Sequence, residues 1–169
     1  MKALVTYRSS TGNTKKVAEA IYAELQCEKV IRPTKEVDDV SGYDIIFMGF
    51  PTHQFGADKK AVEFMKKHCT AGRKVALFIT HAAPEDNPEV AGWMTRFKDA
   101  ASGAEVLGLF DCQGQMSKGV NLILHLSTDK KMREWAKVDN SQGQPDEARL
   151  KKAREFAKNM MGKVEVASP

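Results

Sequence analysis

The chain has 169 residues, 42% of them hydrophobic and 28% charged. That suits one ordinary globular domain and excludes wholesale disorder, collagen-like repeats and a disulfide scaffold. The net charge of +4 is mildly basic, short of the dense basic patch of a nucleic-acid binder, so no nucleic-acid partner is expected. No apolar run nears the ~20 residues that span a bilayer, and the stretch after Lys2 is too short for a signal-peptide core. Cys27, Cys69 and Cys112 are widely spaced and form no CxxC pair, which suggests reduced thiols. The expectation is a cytoplasmic protein with no membrane association.

Lys2–Tyr7 is short, apolar and β-branched, and reads as a strand. The polar break at Ser9–Asn13 follows. From Thr14 to Gln26, Val17, Ile21 and Leu25 recur at helical spacing. Glu28–Arg32 is a weaker strand ended by Pro33. Asp44–Phe50 is an apolar run without alternation, the pattern of a strand covered on both faces. Ala57–His68 reads as a helix and Arg73–Thr80 as another buried strand. Asn87 and Pro88 stand where a cap and first helical turn belong, with Val90, Trp93, Met94 and Phe97 as the apolar face. Trp93 and Trp135 are assigned to packing.

Ala104–Phe110 supplies a fifth strand, and Pro145–Met161 a last helix with Asp146 and Glu147 in its first turn. Between Asp111 and Gln144 the pattern is weak. Val120–Leu126 fits either a short strand or a helix turn, and Thr128–Lys137 looks helical. The expected organisation is one domain over 1–163 and a loose tail over 164–169. Strands alternating with helices imply βαβ units and a parallel sheet. Ligands then bind beyond the carboxyl ends of the strands, at the loops after Tyr7, Phe50, Thr80 and Phe110.

The first of these loops carries the strongest signal. Ser9, Ser10, Thr11, Gly12, Asn13 and Thr14 follow a strand and open a helix. Every residue but Gly12 offers a hydroxyl or amide, and Gly12 permits a tight turn. With the helix dipole behind its amides, this is an anion site built from neutral donors. It lacks the Gly-Lys-Ser/Thr ending of a Walker A loop and the glycine spacing of GxGxxG.

Ser9-x-Thr11-Gly12-Asn13-Thr14 after a first strand resembles the FMN phosphate loop of flavodoxins, and the likeness extends over most of the chain. It implies a three-layer α/β flavodoxin-like fold, a five-stranded parallel sheet of order 2-1-3-4-5 with helices on both faces. It also implies FMN as cofactor, with Ser9, Ser10, Thr11, Gly12, Asn13 and Thr14 at the phosphate. Pro51, Thr52, His53, Gln54, Phe55 and Gly56 would meet one side of the isoalloxazine, and Thr80, His81, Ala82 and Ala83 the other. Flavodoxins often carry a Trp in the first ring loop and a Tyr in the second. Here the first has His53 and Phe55, and all three tyrosines fall elsewhere.

The function so implied is a monomeric electron carrier working between a reductase and an acceptor protein. The alternative is an FMN-dependent NAD(P)H or quinone-type reductase acting directly on a small acceptor, and a third reading is a flavin-free adaptor. The four histidines never pair at metal spacing, so no metal site is expected. Cys112 fits a small buried hydrophobe better than a group at the flavin edge. Lys59, Lys60, Lys66 and Lys67, with Arg73 and Lys74 following, form the one local charge bias, which fits either a solvated helix face or a docking patch for an acidic partner such as a ferredoxin-type carrier, or for a charged substrate.

Overall fold

The computed structural model describes residues 1–84 and 86–166. Five strands, β1 (Lys2–Tyr7), β2 (Glu28–Pro33), β3 (Ile45–Pro51), β4 (Lys74–His81) and β5 (Glu105–Gln113), form one sheet. All neighbours are parallel and the order is β2-β1-β3-β4-β5, as the flavodoxin resemblance implied. The helices are α1 (Asn13–Glu24), α2 (Lys59–His68), α3 (Val90–Ala100), α4 (Lys118–His125), α5 (Lys130–Lys137) and α6 (Glu147–Val166). No helix among the described residues is long and apolar enough to cross a membrane.

Side chains alternate across a strand, and both sets are apolar here because both faces are covered. Leu4, Ile46, Met48, Leu77 and Ile79 pack with Met65 of α2 and Phe97 of α3. Val5, Ile45, Phe47 and Phe78 pack on the other face with Val17 and Ile21 of α1 and Ala157 of α6. This explains the continuous apolar runs of β3 and β4. Cys112 is buried in the second core, as its reading as a small hydrophobe required. Burial pushes the Cys69 thiol up to about 11, so it holds no thiolate at neutral pH.

Gly49 marks the tightest packing in the sheet. A Cβ there would stand 2.0 Å from Phe78 Cε2, and Phe78 is itself fully buried. Gly49→Ala is therefore expected to cost about 1–3 kcal/mol by overpacking, read from the urea midpoint. Adding Phe78→Leu should recover part of that loss.

His68, in the last turn of α2, is buried with its Nε2 unbonded, its ring 4.5 Å from that of Phe64. Burial, helped by Lys67, pushes its pKa below the ordinary 6.5. The unfolded chain takes up this proton more readily than the fold does. Stability is thus full above about 6.5 and falls as pH drops below it. His68→Leu should raise stability by about 1 kcal/mol by removing an unsatisfied buried group. Urea unfolding at mildly acid and neutral pH should show the gain growing toward acid.

Several boundaries differ from the sequence reading. β5 runs to Gln113, past Phe110, because its polar residues are satisfied: His81 Nε2 lies 3.1 Å from Asp111 Oδ2, and Gln113 Nε2 donates to Asn140 Oδ1 at 2.8 Å. α2 starts at Lys59, capped by Asp58. α3 starts at Val90, because Asn87 Oδ1 instead accepts from Glu89 N–H in the preceding turn. Val120–Leu126, ambiguous in sequence, lies mostly in α4, which packs mainly on α5. α6 continues through Val166 with Val164 buried, beyond the expected helix end at Met161 and into the expected tail. Residues 167–169 lie outside those described.

Candidate functional site

Strand order reverses between β1 and β3, so the loops that follow them diverge and leave a crevice at their carboxyl ends. The cleft there has a volume of about 480 Å³.

Its polar end is the loop before α1. Gly12 has φ 93°, a left-handed conformation that costs other residues energy. Its N–H donates to Ser9 Oγ at 3.1 Å and its carbonyl accepts the first helical bond from Lys16. The backbone N–H groups of Thr11, Asn13 and Thr14 make no hydrogen bond to another described residue. They are the orphan donors of a helix start, with the positive end of the dipole behind them. Ser10, Thr11, Asn13 and Thr14 line the cleft. The buried hydroxyls of Thr14 and Thr80 lie 2.9 Å apart and tie this loop to the one after β4. Asn13 Nδ2 donates to the Gln115 carbonyl at 2.8 Å. A Cβ at Gly114 would stand 2.8 Å from Asn13 Nδ2, so this close approach requires glycine.

The other end is aromatic. Pro51, Thr52, His53, Gln54 and Phe55 form one wall. His53 and Gly56 exchange two backbone hydrogen bonds, of 2.8 and 3.1 Å. Between them Gln54 and Phe55 both take positive φ, 45° and 69°, the two-residue turn that normally prefers Asn-Gly. The turn sets the Phe55 ring 5.3 Å from that of Trp93. Thr80, His81 and Ala82 form the facing wall. The His81 ring is fixed at both nitrogens, Nδ1 lying 3.0 Å from the Ala83 carbonyl and Nε2 facing Asp111.

An ion pair braces the first ring loop. Arg8, just after β1, donates to both carboxylate oxygens of Asp58, which also accepts from Ala61 N–H at 2.9 Å to cap α2. Burial alone would raise the Asp58 pKa. The Arg8 and Ala61 hydrogen bonds, with the Arg8 and His53 charges, outweigh it and hold the carboxyl below its ordinary value.

Of the sixteen residues that the sequence reading placed at the cofactor, twelve line this cleft. Ser9 and Gly12 line a neighbouring groove instead. Gly56 closes its turn, with both its N–H and its carbonyl engaged by His53. Ala83 is fully buried behind His81. The sequence reading missed the roof. Met116, Val120, Ile123 and Leu124 from the β5–α4 segment line the cleft, with Trp93 and Trp135. Trp93 does pack in the core, as assigned, but also forms cleft wall. The available signal was the spacing of Val120, Ile123 and Leu124, an apolar helix face.

Comparison with known proteins gives this architecture its family. The flavodoxin domain model matches residues 4–158. The chain belongs to the flavodoxin domain family. The chain is 36% identical to the flavodoxin-like domain-containing protein BilS of Clostridioides difficile, over 98% of this chain and 99% of BilS. A flavodoxin from the domain Archaea superposes with a TM-score of 0.63 at 18% identity, covering 98% of this chain and 99% of that one. A flavoprotein from Lactobacillus acidophilus, solved in complex with FMN, superposes with a TM-score of 0.51 at 21% identity over 65% of this chain and 92% of its own. All three cleft loops of this flavodoxin-family chain, and its α4–α5 hairpin, fall within the matched residues.

Proposed function

We propose that the cleft binds FMN and that the protein is an electron carrier of the cytoplasm, passing electrons between a reductase and an acceptor protein. The observation that carries this reading is the pairing, in one cleft, of an anion site made of neutral donors with an aromatic end. Ser10, Thr11 and the free N–H groups of Thr11, Asn13 and Thr14 suit a phosphate monoester. Phe55, Trp93 and Trp135 suit a planar ring. The volume of about 480 Å³ falls within the range of small-ligand sites. FMN, when bound, supplies one- or two-electron transfer.

The chain's own residues do the rest. The Ser9–Thr14 loop holds the phosphate and so fixes the register of the ring. Residues 51–55 and 80–82 hold the ring between two rigid walls. Their rigidity comes from the His53–Gly56 turn, the Thr52 N–H bond to the Thr80 carbonyl at 2.8 Å and the doubly bonded His81 ring. Val120, Ile123 and Leu124 of α4, with Trp135, add apolar lining to the cleft.

Flavin absorbance of the purified protein, followed by fluorescence titration of the apoprotein with FMN, tests the reading. Saturable quenching at one FMN per chain is expected, and a protein that takes up no flavin would be the adaptor instead.

The roof favours a second reading, in which the protein reduces a small acceptor directly. Val120, Ile123 and Leu124 add an apolar wall to the cleft, which a carrier exchanging electrons only with proteins does not need. The discriminating measurement is turnover with NAD(P)H and a quinone as sole partners. The carrier reading predicts negligible turnover until a separate reductase is added.

A further inference from the structure

A second concave surface lies across the Ser9–Gly12 loop from the cleft. This groove has a volume of about 810 Å³, and Ser9 and Gly12 form part of its wall. Its floor is partly apolar, from Tyr7, Pro33 and Phe64. Around it stand Arg8, Lys15, Lys35, Lys60 and Lys67, with Glu63 the one carboxylate among the lining residues. That excess of cations equals the net charge of the whole chain, +4. They come from four separate places: the end of β1, the first turn of α1, the turn after β2, and α2.

Most of this charge is unspent. Arg8 is committed to Asp58. Lys15 and Lys35 make only loose pairs, at 3.7 Å with Glu19 and 4.0 Å with Glu36, on exposed side chains. Such pairs contribute little. Lys60 and Lys67 are exposed and form no ion pair with a described residue. Glu63 is itself 3.8 Å from Lys59. The helix thus presents its unpaired lysines to the groove.

We propose that this groove is the docking surface for an acidic electron-carrier protein, which rests on the electron-transfer reading above. Its anatomy favours a protein over a small anion. Small-ligand sites converge a few fixed polar groups on one point, whereas here long, solvated side chains ring an apolar centre. A charged rim around a desolvated centre is how protein interfaces are built. The position also fits. The groove adjoins the Ser9–Gly12 loop at the phosphate end of the cleft, and Lys60 on its rim stands in the first turn of α2, which begins three residues past the ring-loop turn at Gly56. With FMN held by the cleft residues, the exchange would be the transfer of one electron from the carrier's reduced iron–sulfur centre to the flavin, with no covalent bond made or broken.

The test uses a [2Fe–2S] ferredoxin as the acidic probe. Its binding is mapped by amide chemical shifts, and the rate of flavin reduction is followed by stopped flow across a salt series. The lysine pair is reversed as Lys60→Glu with Lys67→Glu. The control, Lys98→Glu with Lys151→Glu, changes the net charge equally on α3 and α6. The proposal expects shifts around Arg8, Lys15, Lys35 and α2. At low salt the Lys60/Lys67 variant should associate about tenfold or more slowly, the control far less so, and the difference should close at high salt. Equal losses in both variants, a rate flat with salt, or shifts confined to another face would overturn it. Binding is read with and without FMN, so a chain that takes up no flavin would overturn the electron-transfer reading while the groove is still measured.

Discussion

Riboflavin will bind the apoprotein roughly a hundred- to a thousandfold more weakly than FMN. The two ligands share the ring and differ in the phosphate, so the ratio of their dissociation constants isolates the Ser9–Thr14 loop. That loop offers three unengaged backbone N–H groups and two hydroxyls at a helix start. Hydrogen bonds to a charged group contribute about 1.5–3 kcal/mol each. Part of the total offsets the desolvation of the phosphate, so a net of about 3–4 kcal/mol is expected, which gives the stated ratio. The lining residues at this end carry no cation.

Thr11→Ala should weaken FMN by about tenfold or more and leave riboflavin unchanged. Thr14→Val should weaken both, because it also strips Thr80 of its hydroxyl partner and loosens the ring loop. Fluorescence titration of both flavins against both variants is the measurement. A FMN-to-riboflavin ratio near unity would remove the phosphate loop from the function.

The elements that declared themselves in sequence were those whose apolar pattern is explained by local cover. β3 and β4 are apolar on both faces because helices lie on both faces. The donor-rich run from Ser9 to Thr14 stood out because a single N-cap needs only one such residue. The ring loop was legible by position, after a buried strand stopped by Pro51, but not by shape. Its turn runs through positive φ at Gln54 and Phe55, residues that do not advertise that conformation.

The roof was illegible for a different reason. α4 and α5 pack mainly on each other, so their apolar residues answer to the cleft and to solvent and not to the sheet. Leu122, Ile123 and Leu126 are largely exposed, which blurs the amphipathic signal on which a helix assignment depends. Trp93 was read as packing because one residue can serve the core with one side of its ring and the cleft with another. The basic groove was half visible. The lysines of α2 are adjacent in sequence, whereas Arg8, Lys15 and Lys35 join them only once β1 and β2 are paired.

Asp58→Ala will be among the most damaging single changes outside the hydrophobic cores, because this one side chain closes three structures at once. Its carboxylate caps α2 through Ala61 N–H, and losing a cap costs about 1 kcal/mol. It also neutralises Arg8, whose side chain is 26% exposed. Removing the partner leaves a partly desolvated guanidinium uncompensated, a cost between the roughly 0–1 kcal/mol of an exposed pair and the 3–5 of a buried one. A total of about 2–3 kcal/mol is expected, read from chemical denaturation of the apoprotein.

Asp58→Asn separates the parts. It keeps an acceptor for the cap and loses the charge, so it should recover about 1 kcal/mol of the loss. The pH dependence follows from the sign of the shift. Asp58 is held below its ordinary 3.8 in the fold, so the unfolded chain takes up the proton first. Its contribution is therefore complete above about 3.8 and is lost as pH falls through the lower folded value. The wild type should lose this increment on acidification and Asp58→Asn should not, so their denaturation midpoints converge toward low pH. Asp58 also sits at the base of the Pro51–Gly56 turn, with His53 Nε2 4.0 Å from its carboxylate. Both variants should thus weaken riboflavin and FMN by similar factors, the signature of a disturbed ring wall beside an intact phosphate loop.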